Sequence, residues 1–467
     1  MKKHLHKFET TLWLFIKAVF YILLMLAFVR VFDEVSIGLT RLSRTLGITV
    51  STFAVVGLLF LSVYGKYDVG RRKSKPIIYS MLLAVICTDI ITYLQLMIMK
   101  TSVSISSFRL WKPALLLVVI LLQFLIIVFF AYAGNWLFFK IHKPERCLVI
   151  TSSQKSLDEI VFAMQKFKKQ YAVSSVVDYR STELERYIRD SQTVFMYNVP
   201  VEYRTDIMRW SYKYKVNVYF NPEIEDIMEL NAEQYVLDDV FLLNKNVKEL
   251  SMEQRVMKRL LDIGLSIILG VLSSPFWLLG MIAVKLYDGG PVFFKQERAT
   301  IHGRRFQLYK LRTMKPNSVN YSAKKDDDRI TKPGKFLRRT RIDELPQLLN
   351  VLKGDMTFVG PRPEMIKNVE SYTKELPEFE YRLRMKAGLT GYAQITGKYN
   401  TTPKDKLVMD MMYIEQFSIL KDIQLIFQTA IVLLKSDSTE AFDKKSRHCP
   451  YKFVSWEEEK EKGKDAP

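Results

Sequence analysis

Cysteine is scarce. Cys87, Cys147 and Cys449 are odd in number and unclustered, which argues against both a disulfide framework and a zinc site. The five histidines, His4, His6, His142, His302 and His448, stand too far apart to form a metal cluster and read as structural or incidental. No GxGxxG fingerprint of a dinucleotide site occurs, and no nucleic-acid-binding motif. The first apolar run is too long for a removable signal peptide, and it lacks a small-residue cleavage site. A net charge of +20 fits nucleic acid, anionic lipid or anionic small substrates. The apolar segments favour the membrane, and no nucleic-acid partner is expected.

Hydrophobic residues make up 49% of the 467-residue chain and the mean hydropathy is +0.01, high beside 25% charged residues. That mixture predicts a membrane part joined to a soluble part, with room for about three domains. Four apolar segments, near 12–32, 46–64, 77–99 and 114–139, each supply roughly the 20 residues that cross a bilayer. They predict a four-helix transmembrane bundle over 1–140. Lys2, Lys3 and Lys7, then Lys66, Arg71, Arg72, Lys73 and Lys75, then Lys140, Lys143 and Arg146 flank one side. Arg41 and Arg44, with Lys100, Arg109 and Lys112, flank the other. The positive-inside rule places both ends of this bundle in the cytosol. Asp89 is the one obvious acid within a span; it marks a functional site or pairs inside the bundle.

Over 141–250, short apolar runs (CLVIT, AVSSVV, TVFMYNV, VNVYF, YVLDDV) alternate with charged helical stretches. This predicts a parallel, Rossmann-like cytosolic domain with scaffolding or regulatory use. Ser152, Ser153, Gln154 and Lys155 stand where a dinucleotide fold would place its Gly-rich turn. A second kind of apolar segment, 251–287, carries Ser273, Ser274 and Pro275 near the middle of its apolar run. Each half of that run is about 12 residues, or roughly 18 Å, too short for a core of about 30 Å. Proline breaks or kinks helices. The expectation is a re-entrant membrane helix broken at Ser274–Pro275, which keeps the next domain in the cytosol. That domain, a small α/β catalytic domain, is expected over 288–436, and the phenylalanines beside lysines at its start suit either a surface at the lipid headgroups or an ordinary core. A polar, mobile tail is expected over 437–467.

The chemistry gathers at Asp343 and Glu344, just ahead of Pro346 and the apolar run Leu348, Leu349, Val351, Leu352. Proline suits a first helical turn and Gly354 a helix end, so the acids lie where unbonded N–H groups favour anions. Arg338, Arg339, Arg341 and Arg362 surround them, and guanidinium groups bind phosphate bidentately. A carboxylate backed by a divalent cation and arginines can attack phosphate. Capping acids and a solvated basic face would look the same.

The longer string decides. DELPQLLNVLKGDM from Asp343, then FVGPRP, resembles the signature of the bacterial sugar transferases, the polyprenyl-phosphate sugar-1-phosphate transferases. GGPVFFKQER from Gly289, YKLRTM from Tyr309, DDRITKPGKFLRRT from Asp327 and GLTGYAQITGK from Gly388 extend the resemblance over about 255–435. It implies that Asp343 is a nucleophile and Glu344 a ligand of Mg²⁺. The candidate phosphate contacts are Arg338, Arg312, Arg362, Lys310 and Arg298. The implied reaction passes a sugar 1-phosphate from a UDP-sugar to undecaprenyl phosphate at the bacterial inner membrane and releases UMP. It would start a capsule, exopolysaccharide or O-antigen repeat, and multi-span relatives imply a homodimer. Two rival readings are a glycosyltransferase that releases UDP and a membrane scaffold with a vestigial transferase domain. The sequence departs from the family pattern at Thr300 (usually Gly), Ala387 (usually Pro) and Lys398 (usually Arg). It does not name the sugar.

Overall fold

Long runs without charge leave the backbone little choice but to satisfy its own N–H and C=O groups in helices. The computed structural model describes residues 2–33, 39, 42–64, 67–100, 112–247, 249–316, 327–396, 402–434 and 449–457. Arg41, Lys66, Arg109, Asp326, Lys398 and His448 lie outside the described residues, as do the side chains of residues 2–10 and of Lys100. The chain forms two units, residues 1–221 with 444–467, and residues 222–443.

The first unit begins with α1 (Lys2–Phe32), α2 (Arg44–Val63), α3 (Ser74–Lys100) and α4 (Leu115–Ile141). Ser43 caps α2 by accepting the Leu46 N–H at 3.1 Å. The four helices share one apolar cluster that includes Phe20, Phe28, Phe53, Met81 and Ile127. Asp89 is buried there and finds a partner: Gln123 Nε2 donates to its Oδ1 at 3.1 Å and to the Leu24 carbonyl at 3.0 Å.

A parallel sheet comes next, with strand order β2-β1-β3-β4. Its elements are β1 (Glu145–Thr151), α5 (Gln154–Gln165), β2 (Tyr171–Asp178), α6 (Leu184–Asp190), β3 (Thr193–Tyr197), α7 (Val201–Tyr214) and β4 (Asn217–Phe220). Leu148, Ile150, Val194 and Met196 face α6 and α7 through Leu184, Ile188 and Ile207. Cys147 and Val149 face α5 on the other side through Leu157, Val161 and Met164.

α5 does not cover that second face alone. Cys449 and Phe453 pack on the same cluster. Phe453 N–H donates to Gln154 Oε1 at 2.7 Å and Trp456 N–H to Asp178 Oδ2 at 3.2 Å. The expected mobile tail is therefore corrected for 449–457. Its aromatic residues bury against apolar surface that a polar segment would leave bare. Asp178, at the end of β2, is committed to this segment and to Arg180 (3.2 and 3.1 Å).

The second unit opens with α8 (Ile224–Met228), whose Ile224 and Ile227 pack with Phe379, Leu407 and Met411. β5 (Glu233–Leu237) and β6 (Val240–Asn244) form an antiparallel hairpin, and every residue of both strands is exposed. The YVLDDV run is thus not a buried strand, the parallel sheet ends at Phe220, and residues 222–250 belong to the second unit. The reason is local. Only Asp238 and Asp239 separate the two strands, and two residues close a hairpin but not a parallel crossover.

α9 (Met252–Asp288) is one helix of 37 residues with Pro275 inside it, where two short halves were expected. Proline withholds the N–H that the Val271 carbonyl would receive. Ser274 Oγ donates to that carbonyl at 2.8 Å, so hydrogen bonding continues across the break. α1 to α4 and α9 are each long and apolar enough to cross a membrane. The amino-terminal turns of α9 are fastened to the unit by buried charges. Lys258 Nζ donates to Asp422 Oδ2 (2.6 Å) and the Val359 carbonyl (2.9 Å), and Asp262 Oδ1 accepts the Phe358 N–H (2.8 Å).

The rest of the unit mixes helix and strand. β7 (Phe293–Ala299) pairs antiparallel with β8 (Arg305–Leu311), ahead of α10 (Lys332–Thr340) and α11 (Gln347–Lys353). β9 (Thr357–Val359) pairs parallel with β10 (Gly388–Thr390). Between them lie α12 (Ile366–Glu375) and a 3₁₀ stretch, Pro377–Arg384. α13 (Tyr392–Thr396), α14 (Pro403–Glu415) and α15 (Ile419–Leu434) complete it. α15 packs on the unit through Leu425. The molecule is a membrane protein with an α/β domain.

Candidate active site

The acidic pair stands on a short turn between two helices. α10 starts where Thr331 accepts the Gly334 N–H at 3.1 Å. Gly334 is required there, because a Cβ would lie 2.1 Å from the Thr313 carbonyl oxygen. α10 stops at Arg341, which adopts the left-handed region (φ 55°). A 3₁₀ turn, Ile342–Glu344, comes after it, then Pro346 leads into α11. α11 ends at Gly354 (φ 86°), where a side chain would be strained.

Asp343 is buried and Glu344 partly so. Lys310 Nζ, reaching from β8, donates to Glu344 Oε1 at 2.8 Å, and Arg341 Nη1 lies 3.6 Å from Oε2. The two carboxyls then part in character. Burial pushes Asp343 up to about 6, with the neighbouring Glu344 charge adding to the shift and Lys310 and Arg338 opposing it. Burial also works against ionised Glu344, but the charges of Lys310, Arg362 and Arg341 and the Lys310 hydrogen bond outweigh it. Its carboxyl lies well below the usual carboxylate range. Two adjacent acids with pKa values driven apart are what a division of labour between carboxylates looks like.

The candidate phosphate contacts divide. Arg338 is steered by its Nε–H donating to Thr313 Oγ1 at 2.8 Å. Arg362 is exposed between buried Pro361 and Pro363, and its charge acts on Glu344. Arg298 has a partly structural job: Nη1 donates to the Pro363 carbonyl at 3.3 Å and Nη2 to Gln296 Oε1 at 2.5 Å. Burial pulls it down to about 10. Arg312, expected as a phosphate contact, is engaged by protein partners in this structure. It is buried, forms a two-pronged pair with Asp288 through Nη1 (2.8 Å) and Nη2, and donates from Nε to the Pro291 carbonyl at 2.6 Å. The fork that fits phosphate here fits the carboxylate at the end of α9. Asp327, in the acidic run, is likewise turned to Arg329, with Nε to Oδ1 at 2.7 Å.

Two departures from the family pattern meet. Thr300 Oγ1 donates to the Asp355 carbonyl at 3.0 Å and accepts the Ala387 N–H at 3.1 Å. A proline at 387 has no N–H to place, and a glycine at 300 has no hydroxyl to receive one. The two positions, far apart in the chain, are thus joined by one hydrogen bond where the end of β7 meets the start of β10.

Residues 253–436 match the model of the bacterial sugar transferase family. A UDP-glucose:undecaprenyl-phosphate glucose-1-phosphate transferase of Caulobacter vibrioides is 39% identical over 189 residues, covering 39% of this chain and 71% of that protein. An uncharacterized sugar transferase of Bacillus subtilis is 38% identical over 186 residues, 40% of this chain and 91% of that protein. A UDP-N-acetylgalactosamine-undecaprenyl-phosphate N-acetylgalactosaminephosphotransferase of Aeromonas hydrophila is 40% identical over 184 residues, but the match spans 38% of this chain and only 44% of that protein. The chain belongs to the bacterial sugar transferase family and is an enzyme of the phosphoglycosyl transferase class.

Proposed function

We propose that the protein transfers a sugar 1-phosphate from a UDP-sugar to undecaprenyl phosphate, giving the polyprenyl-diphospho-sugar and UMP, as the first step of a surface polysaccharide. The observation that carries this reading is the pair of carboxyls on one turn, Asp343 buried and Glu344 bound by Lys310 at 2.8 Å. Asp343 attacks the phosphorus that bears the sugar. An O–P bond forms, the bond to the bridging oxygen breaks, and UMP leaves with that oxygen. The aspartyl sugar-phosphate is an acyl phosphate, reactive enough to pass its group to the lipid phosphate oxygen, which frees Asp343. Two steps suit a soluble donor and a membrane-bound acceptor that use one small site in turn.

Glu344, an ionised carboxylate of hard oxygen donors beside the nucleophile, fits Mg²⁺ of the kind held by one or two carboxylates plus substrate phosphates. Bound there, the ion would offset charge on the diphosphate. Lys310 keeps Glu344 ionised, Arg338 and Arg362 hold phosphate oxygens, and Arg298 braces the loop that carries Arg362.

The architecture supports a multi-pass inner-membrane protein. In this reading α1 to α4 are a four-helix transmembrane bundle and the parallel sheet is a Rossmann-like domain; α9, though continuous, bends at Pro275 in the membrane, as prolines bend helices, and returns to the same leaflet, so both soluble parts face the cytosol. The assembly is a homodimer, checked by the mass of detergent-solubilised protein.

The test is nucleotide release by purified protein given UDP-glucose, UDP-galactose or UDP-N-acetylgalactosamine, with Mg²⁺ and undecaprenyl phosphate. UMP from one donor, absent with Asp343→Asn, is the expected result. UDP release would mean ordinary glycosyl transfer, and no lipid-dependent release from any donor would favour a scaffold.

A further inference from the structure

The tripeptide Pro361–Arg362–Pro363 carries its exposed arginine on a backbone that buried charges hold from behind. Arg382 Nη2 donates to the Arg362 carbonyl at 2.6 Å and lies 2.7 Å from Asp410 Oδ2. Arg382 is 2% exposed and Asp410 1%. Arg298 holds the next carbonyl, that of Pro363. Glu364, one residue further, receives Lys406 Nζ at 3.0 Å. The peptide between two φ-restricted prolines is therefore fixed by guanidinium groups from β7 and from the 3₁₀ stretch.

Taking an arginine and an aspartate out of water is costly, and well-packed apolar residues in their place are often as stable or more so. Fold stability alone is a poor reason to keep such a pair. An apolar pair would lack a donor for the Arg362 carbonyl.

We propose that Arg382, charge-balanced by Asp410, is a positioning residue: it fixes the Arg362 peptide, and with it the place from which the exposed Arg362 guanidinium reaches a substrate phosphate, and it acts on the reaction only through Arg362. This rests on the reading of Arg362 as a phosphate contact. Neither Arg382 nor Asp410 touches substrate in this account. Their effect is the placement of one guanidinium, and misplacing a working group by about 1 Å can lower a rate on the order of 100-fold.

The experiment is a double-mutant cycle on the full chain in lipid nanodiscs, read as kcat/KM for UMP release with whichever UDP-sugar is turned over. Arg362→Ala and Arg382→Gln are each expected to lower it roughly 10- to 100-fold. The pair together is expected to be no worse than Arg362→Ala alone, since groups in one chain of action are not additive. Losses that multiply would overturn the proposal, as would full activity in Arg382→Gln. Should Arg382→Gln fail to fold, the near-isosteric Asp410→Asn carries the same test: its loss must vanish in the Arg362→Ala background, and a loss that persists refutes the idea. Arg362→Ala with unchanged kcat/KM would remove the phosphate reading itself, a result distinct from silence at Arg382 alone.

Discussion

Replacing Thr300 by valine keeps its shape and removes its hydroxyl, at a residue 1% exposed. The Ala387 N–H then loses its acceptor and the Asp355 carbonyl loses a donor. An orphaned buried donor costs about 1–3 kcal/mol, and a lost neutral hydrogen bond about 1 kcal/mol. The sum is roughly 2–4 kcal/mol. For a unit of this size each kcal/mol moves the melting temperature by about 2–4 °C, so Thr300→Val should lower it by roughly 4–16 °C. Adding Ala387→Pro removes the orphaned N–H altogether, and more than half of the loss should return. In the Thr300 background the same proline should stabilise nothing. Differential scanning fluorimetry on the four proteins reads the cycle directly. Equal effects of Ala387→Pro in both backgrounds would show that no hydrogen bond couples the two positions.

The same geometry sets other expectations. The nucleophile must be ionised, so turnover should fall below pH 6, about tenfold per pH unit well below the Asp343 pKa. Lys310 opposes the rise of that pKa, so Lys310→Met should move the acid limb of kcat to higher pH; a limb that stays put contradicts the assignment. Arg312→Lys should lower the melting temperature, by losing the two-pronged pair with Asp288, and leave KM for the UDP-sugar unchanged. A raised KM without destabilisation would restore Arg312 as a phosphate contact. Lys258→Met should destabilise by about 3–5 kcal/mol, the cost of stranding a buried partner charge, here Asp422. Limited proteolysis should show it, and Lys258→Met with Asp422→Leu should recover part of it.

Much of the fold was readable from composition and order. The apolar runs gave α1 to α4, and strand–helix alternation gave a parallel sheet, because both patterns are set by which residues must avoid water. The turn bearing Asp343 and Glu344 could be placed ahead of Pro346 and Gly354 by the backbone needs of those two residues. What could not be read was which of several chemically suitable partners a side chain would choose. Arg312 has the right fork for phosphate, and only the fold brings Asp288 within reach of it. Pro275 has the right chemistry to end a helix, and only the Ser274 hydroxyl on the Val271 carbonyl lets α9 continue. The hairpin Glu233–Asn244 has strand residues, but apolar content cannot say whether anything covers it. The reverse held at Phe453 and Trp456, whose polar neighbours hid a segment that packs on the sheet.

The central claim is a covalent bond to Asp343. The most direct measurement is the mass of the protein after UDP-sugar is added with Mg²⁺ and without undecaprenyl phosphate, with mapping of the modified peptide. The account predicts a sugar-phosphate adduct on the peptide that holds Asp343, formed with release of UMP, discharged by undecaprenyl phosphate and absent from Asp343→Asn. Lipid-dependent UMP release with no adduct at any time, or an adduct that survives in Asp343→Asn, would contradict it.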